Sequence, residues 1–180
     1  MRFYTNILSA QGFASPLEQY DIEGEIFSEG TSTVISAKHK CVKVKVAIKV
    51  IFKDVNQEVV DLKQVPFIAL LERMCLGKYP LDIVKHLELI EDDQYIYFIS
   101  ALQNRGDLAT YMSSHQVMFL TESELKAPTH CITNALKSVH EQDFLHNDLQ
   151  PCNIFMHRSR ADNIFSVKLS GFSKCQSINT

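Results

Sequence analysis

Hydrophobic and polar positions change period several times along the chain, and the changes mark out its elements. The first nineteen residues show no sustained period and read as a leader or linker. From Tyr20 the pattern alternates: DIEGEIF, TVISAKH and VKVKVAIKVIF set β-branched residues against polar ones, which predicts three antiparallel strands. In the third, Lys43, Lys45, Ala47 and Lys49 share one face and Val44, Val46, Ile48 and Val50 the other, because successive strand side chains point to opposite sides. Lys49 therefore looks away from the aliphatic row. From about Asn56 to Leu76 the spacing becomes helical through Val59, Leu62, Val65, Ile68, Ala69 and Leu71, interrupted at Pro66, so a kinked helix or a loop followed by a helix is expected.

Alternation returns around Ile83 to Leu89 and Tyr95 to Leu102, on either side of the acidic turn EDD. The polar segment QNRG leads into a short helix near Asp107 to Ser114. Thr121 and Glu124 form a Thr-x-x-Glu capping box, and Leu125, Ile132, Ala135, Leu136 and Val139 carry a helix on to about His140. Pro128 stands too late for a first-turn proline and predicts local distortion. Two short strands, Ile154 to Met156 and Ser166 to Leu169, flank the polar loop HRSRADN. The class is α+β.

Composition narrows the partners. A chain of 180 residues has the length of one domain, or one and a half small ones, and its 46% hydrophobic and 22% charged residues are ordinary globular values. With 18 basic and 21 acidic residues, the net charge of -3 favours neither nucleic acid nor an anionic membrane, so any phosphate binding has to be local. The five cysteines are far apart, odd in number and without a C-x-x-C pair. That indicates neither a zinc site nor a disulfide framework, and points to reduced thiols in the cytoplasm or nucleus. No run approaches the ~20 apolar residues of a membrane span. His39, His86, His115, His130, His140 and His157 show no ligand spacing and read as surface or satisfied side chains.

One stretch does carry chemistry. LHNDLQPCNIF places His146, Asp148 and Asn153 within eight residues. Alone, Asp148 would read as a loop-capping carboxylate and Asn153 as a turn former. The stretch does not stand alone, because about 100 residues earlier Val46 to Lys49 spell VAIK. VAIK on a third strand, followed by HNDLQPCN in place of H-R-D-L-x-x-x-N, resembles a eukaryotic protein kinase of the Ser/Thr type. Gly106 to Leu108 and the ending VKLSGFSK look most like the calcium/calmodulin-dependent branch.

The resemblance implies a protein-kinase-like fold: a five-stranded small lobe with one helix over residues 20–102, then the first part of a helical large lobe over 103–180. It implies Asp148 as the carboxylate that orients the substrate hydroxyl, Asn153 as a magnesium-coordinating amide, and Lys49 on the α- and β-phosphates of ATP. Gly30, Ile35 and Ala47 would line the nucleotide, and the backbone of Ala101, Leu102 and Gln103 would hold the adenine. A protein substrate or partner is implied too.

Several positions depart from the pattern. Asn147 replaces the Arg, and Gln150 replaces the basic residue two after the Asp, removing a charge that stabilises the transferring phosphoryl group. The glycine-rich loop is SEGTSTVI and keeps only Gly30, so the backbone approaches phosphate less closely. The Glu that would pair with Lys49 is unassigned: counting back from KYPLDIV puts Phe67 or Leu70 there, with Glu72 and Glu58 as the neighbouring acids. Gly171-Phe172-Ser173 stands for Asp-Phe-Gly, and glycine offers magnesium no ligand. The leading expectation is a degenerate domain, weak or inactive in phosphotransfer, that retains ATP binding. Two alternatives stay open: an active Ser/Thr kinase with a rearranged metal site, and a non-enzymatic interaction or decoy module that pairs with a kinase. Because the sequence ends at Thr180, the helix around Leu125 to Val139 is expected to expose an apolar surface, which implies a partner, dimerisation, marginal stability or a sequence that is only a fragment.

Overall fold

In the computed structural model, residues 17–29, 32–53, 66–75, 79–114, 121–158 and 165–178 are described. The alternating stretches form β1 (Tyr20–Glu29), β2 (Ser32–His39) and β3 (Lys45–Phe52), joined by β4 (His86–Glu91) and β5 (Tyr95–Ala101) in a five-stranded sheet of order β1-β2-β3-β5-β4. The antiparallel register sets Ile35 opposite Ile48 and Ala37 opposite Val46, and on the other side of β3 sets Ile48 opposite Ile99 and Val50 opposite Tyr97. Opposed residues share a face, so these side chains close into one apolar core. β3 begins only at Lys45. Lys43 sits before it at φ 57° in the turn, and Val44 is exposed, so the aliphatic row is Val46, Ile48 and Val50.

The chain divides into two compact units: the first joins the stretch up to residue 55 to residues 87–102, and the second joins 56–86 to 103–180. In the second, α1 (Pro66–Cys75) opens on its proline. At a first helical position the missing N–H costs nothing and the fixed φ suits the helix, so Pro66 starts a helix where the periodicity suggested a break. The expected helical stretch before Pro66 lies outside the described residues. Ile83, expected in a strand, instead makes an isolated parallel bridge to Leu169 and is fully buried in the second core.

α2 (Leu108–Ser114) is capped by Asp107, whose carboxylate accepts the Thr110 N–H at 2.8 Å and the Thr110 hydroxyl at 2.8 Å. α3 (Glu122–His140) follows Thr121 and continues through Pro128. It buries Ala135 and Val139 completely and leaves Leu125 exposed. Short strands complete the unit: β6 (Phe144–Leu145) pairs with β9 (Gln176–Ser177), and β7 (Ile154–Arg158) with β8 (Phe165–Leu169). Leu70, Met74, Ile83, Val139, Phe144 and Leu169 lie at the centre of the second core. The four cysteines with described side chains are free thiols. Among the described residues no helix is long and apolar enough to cross a membrane.

Candidate functional site

In the first unit, Lys49 and Ala47 occupy the face of β3 turned away from the core, both partly exposed, as the alternation required. Within this unit no carboxylate among the described residues pairs with Lys49, whereas Lys45, two positions earlier, is held by Glu23 at 2.7 Å. Ile35 is not on the Lys49 face. It lies opposite Ile48, is 2% exposed and belongs to the core. The residue opposite Lys49 is Val34. Gly30 lies outside the described residues. Ala101 closes β5, and the N–H of Leu102 donates to Lys45 O at 3.4 Å. Gln103 begins the next stretch of the second unit.

In the second unit the loop from β6 to β7 brings Asp148 and Asn153 together. Asn147 makes the turn at φ 59°, a left-handed conformation that asparagine tolerates better than most residues. His146 is 3% exposed; its Nδ1 accepts the Asp148 N–H at 3.2 Å, which leaves Nε2 to donate to Ser170 O at 2.8 Å. The ring is therefore neutral, and burial lowers its pKa from the ordinary histidine value. Beyond the loop a short turn, Pro151–Asn153, leads into β7, and the Asn153 N–H donates to Gln150 O at 2.9 Å.

Asn153 Nδ2 donates to Asp148 O at 2.8 Å and to Asp148 Oδ2 at 2.9 Å. The other carboxylate oxygen, Oδ1, accepts from Lys174 Nζ at 2.8 Å and from Gln150 Nε2 at 3.1 Å. The Lys174 ammonium holds the Asp148 carboxyl below the usual carboxylate range, with the Asn153 and Gln150 amides adding to it, although partial burial opposes the shift. Asp148 is thus ionised, and donors engage both of its oxygens. Lys174 is raised by the same pairing. Asn147 Nδ2 also reaches the segment after Gly171, donating to Gln176 Oε1 at 3.1 Å.

Gly171 stands where the resemblance leads one to expect a metal-binding Asp. Its φ is 79°, and a Cβ placed there would stand 2.1 Å from Asn153 Cγ, 2.2 Å from Oδ1 and 2.5 Å from Nδ2. Because Nδ2 is committed to Asp148, the amide oxygen is left on the Gly171 side, with no carboxylate from residue 171 to complete a ligand pair. Among the described residues no three His, Cys, Asp or Glu side chains converge. Magnesium usually takes one or two carboxylates together with substrate phosphates and water, and residue 171 offers it no side-chain ligand.

Phe172, next to Gly171, is packed. Its ring stacks on Phe67 of α1 at 6.0 Å and 11°, and meets the His146 ring edge-on at 4.8 Å. Phe67 in turn meets His86 edge-on at 5.1 Å. Phe67 and Leu70 are core residues, Leu70 being fully buried, so the positions counted for the Lys49 partner are apolar. Glu72 points to solvent, and Glu58 lies outside the described residues. His86 is not the satisfied side chain expected of it. Both its ring nitrogens are buried without a hydrogen-bond partner among the described residues, and burial lowers its pKa to about 4.

Two residues had no sequence signal. Lys174 lies 26 positions from Asp148, with no spacing rule to link them. Val34 and Ile35 are adjacent aliphatics, and only the pairing with β3 tells which faces Lys49.

Comparison with known proteins finds relatives across most of the chain. The chain is 26% identical over 161 residues to ribosomal protein S6 kinase alpha-6 of Mus musculus, covering 87% of this chain and 19% of that protein. It is 25% identical over 166 residues to the serine/threonine-protein kinase SIK1 of Mus musculus, covering 91% and 20%. With the serine/threonine-protein kinase ksg1 of Schizosaccharomyces pombe the identity is 26% over 164 residues, covering 87% and 25%. The chain thus spans about a fifth to a quarter of the length of these relatives. The family model of the protein kinase domain matches residues 20–180, taking in the five-stranded sheet, the VAIK strand, the Asp148 loop and the Gly171 turn, and the chain accordingly belongs to the protein kinase domain family.

Proposed function

We propose that this kinase domain is a pseudokinase of Ser/Thr lineage that retains ATP, is impaired in transferring its phosphate to protein hydroxyls, and works with a protein partner. The observation that carries this reading is the Gly171 turn, where the Asn153 amide fills the space of the side chain that the family uses to hold magnesium. Phosphoryl transfer demands little covalent chemistry and much charge neutralisation, so the missing metal carboxylate weakens the transfer step more than the binding of the nucleotide. Lys49 takes the α- and β-phosphates, Ala47 and Val34 flank the nucleotide, and the backbone of Ala101 to Gln103 takes the adenine. Asp148 keeps the position that orients a hydroxyl but, paired with Lys174, is a poorer proton acceptor.

Thermal shift with ATP, with and without magnesium, tests the reading. ATP is expected to raise the melting temperature to the same extent under both conditions. Absence of stabilisation under either would sink the nucleotide claim. A radiolabelled transfer assay covers the other side: phosphate transfer that disappears in Asp148→Asn would make the chain an active kinase with a rearranged metal site.

A further inference from the structure

The end of the β2–β3 hairpin departs from the rest of the chain in charge. Residues 38–45 read KHKCVKVK, four lysines and no acidic residue, in a chain of net charge -3. The turn is held from inside. The His39 N–H donates to Val44 O and the Lys43 N–H to His39 O, both at 2.9 Å, while His39 Nδ1 accepts the N–H groups of Cys41 and Val42 at 3.2 and 3.4 Å. The His39 ring meets the buried Tyr20 edge-on at 5.1 Å, and Lys40 Nζ donates to Glu18 O at 2.6 Å, so the turn is also tied to the neighbouring strand and the segment before it. What it holds out is apolar: Val42 is 66% exposed and Val44 48%. Lys40 and Lys45 are answered by Asp21 at 4.0 Å and Glu23 at 2.7 Å. Lys38, opposite Asp21 and Lys45 in the register, and Lys43 make no ion pair among the described residues.

Exposed valines flanked by lysines suit a partner that is apolar within and anionic at its surface. β2 and β3 are both paired on both sides, so the hairpin offers no free edge to an added peptide strand, and residues 40–45 are all exposed, a projecting tip with no groove to hold one. A bilayer needs neither edge nor groove. Its headgroup layer admits apolar side chains to a shallow depth, while lysine stems lie along the acyl boundary with their ammonium groups among the phosphates. We propose that the β2–β3 turn docks the first unit on an anionic lipid bilayer, with Val42 and Val44 entering the headgroup layer and Lys38 and Lys43 meeting the lipid phosphates. This docking is independent of the nucleotide reading.

The chain contains no tryptophan, so Val42→Trp in the whole chain gives a single reporter at the tip. Vesicles of phosphatidylcholine with about one-third phosphatidylserine should move its emission to shorter wavelength, and vesicles of phosphatidylcholine alone should not. Co-sedimentation of the natural chain with the mixed vesicles should weaken about ten- to thirtyfold in Lys38→Gln with Lys43→Gln, because each lysine near such a surface contributes roughly a factor of five. Arg at both positions should keep the binding, Val42→Ser should weaken it by about three- to tenfold, and high salt should weaken the natural chain more than the Gln variant. The proposal is overturned if the natural chain stays in solution with the mixed vesicles, binds both compositions equally, or binds no better than a Gln variant of unchanged melting temperature. Binding to soluble poly-glutamate, with the tryptophan emission unmoved by vesicles, would assign the lysines to an acidic peptide and overturn it as well.

Discussion

A Cβ on Gly171 would lie 2.1 Å from Asn153 Cγ, on a backbone whose φ of 79° disfavours any L side chain. Gly171→Ala should therefore cost roughly 1–3 kcal/mol, from left-handed strain and from displacing an amide held by two hydrogen bonds. A lowered melting temperature checks it. Gly171→Asp adds a second carboxylate near Asp148, so the variant that nominally repairs the metal motif should melt lower still. It should also gain no magnesium dependence in its stabilisation by ATP. The two halves of the family's metal pair cannot both be accommodated while Asn153 keeps its present rotamer.

At the scale of elements, the helix that should carry the Lys49 partner carries core instead. α1 turns Leu70 fully into the second core beside Met74 and stacks Phe67 on Phe172. Leu70→Glu would bury a carboxylate among the aliphatic side chains of the second core, and is expected to destabilise the chain by roughly 3 kcal/mol or more in urea unfolding. An Ala at the same site leaves only a cavity and should cost about 2–5 kcal/mol. Period-two alternation made the strands of the sheet legible in the sequence, and the Thr121 capping box placed the start of the long helix. The face of a residue inside β2 was not legible. TVIS has two adjacent aliphatics, either of which satisfies alternation, and hydrogen bonding to β3 decides between Val34 and Ile35. Pro66 left two readings open for a similar reason: the same proline kinks a helix from inside and begins one from its first turn, and the described helix begins on it.

For the whole molecule, acid is the expected weak point. His86 is neutral in the fold with its pKa lowered to about 4, while in the unfolded chain it titrates near the ordinary ~6.5. The unfolded state thus binds the extra proton first: stability is complete above ~6.5 and declines as pH falls toward 4, by on the order of 3 kcal/mol from this group. His146, lowered by burial as well, acts in the same direction. Unfolding curves at neutral and mildly acidic pH, with His86→Leu as comparison, should show the natural chain losing stability and the variant losing much less. The motif letters located Asp148 and Asn153 correctly in one cluster, because those contacts lie within a single loop. They could not foresee Lys174, whose approach to Asp148 depends on how β6 and β9 pair and where the turn after Gly171 falls.

The crowding of Asn153 against Gly171 also makes the two positions epistatic. A side chain introduced at 171 meets an occupied space, a left-handed backbone and, if acidic, a carboxylate already paired with Lys174. Tolerance of such a change is set by residue 153 as much as by residue 171, so the same substitution reads differently according to what stands at the other position.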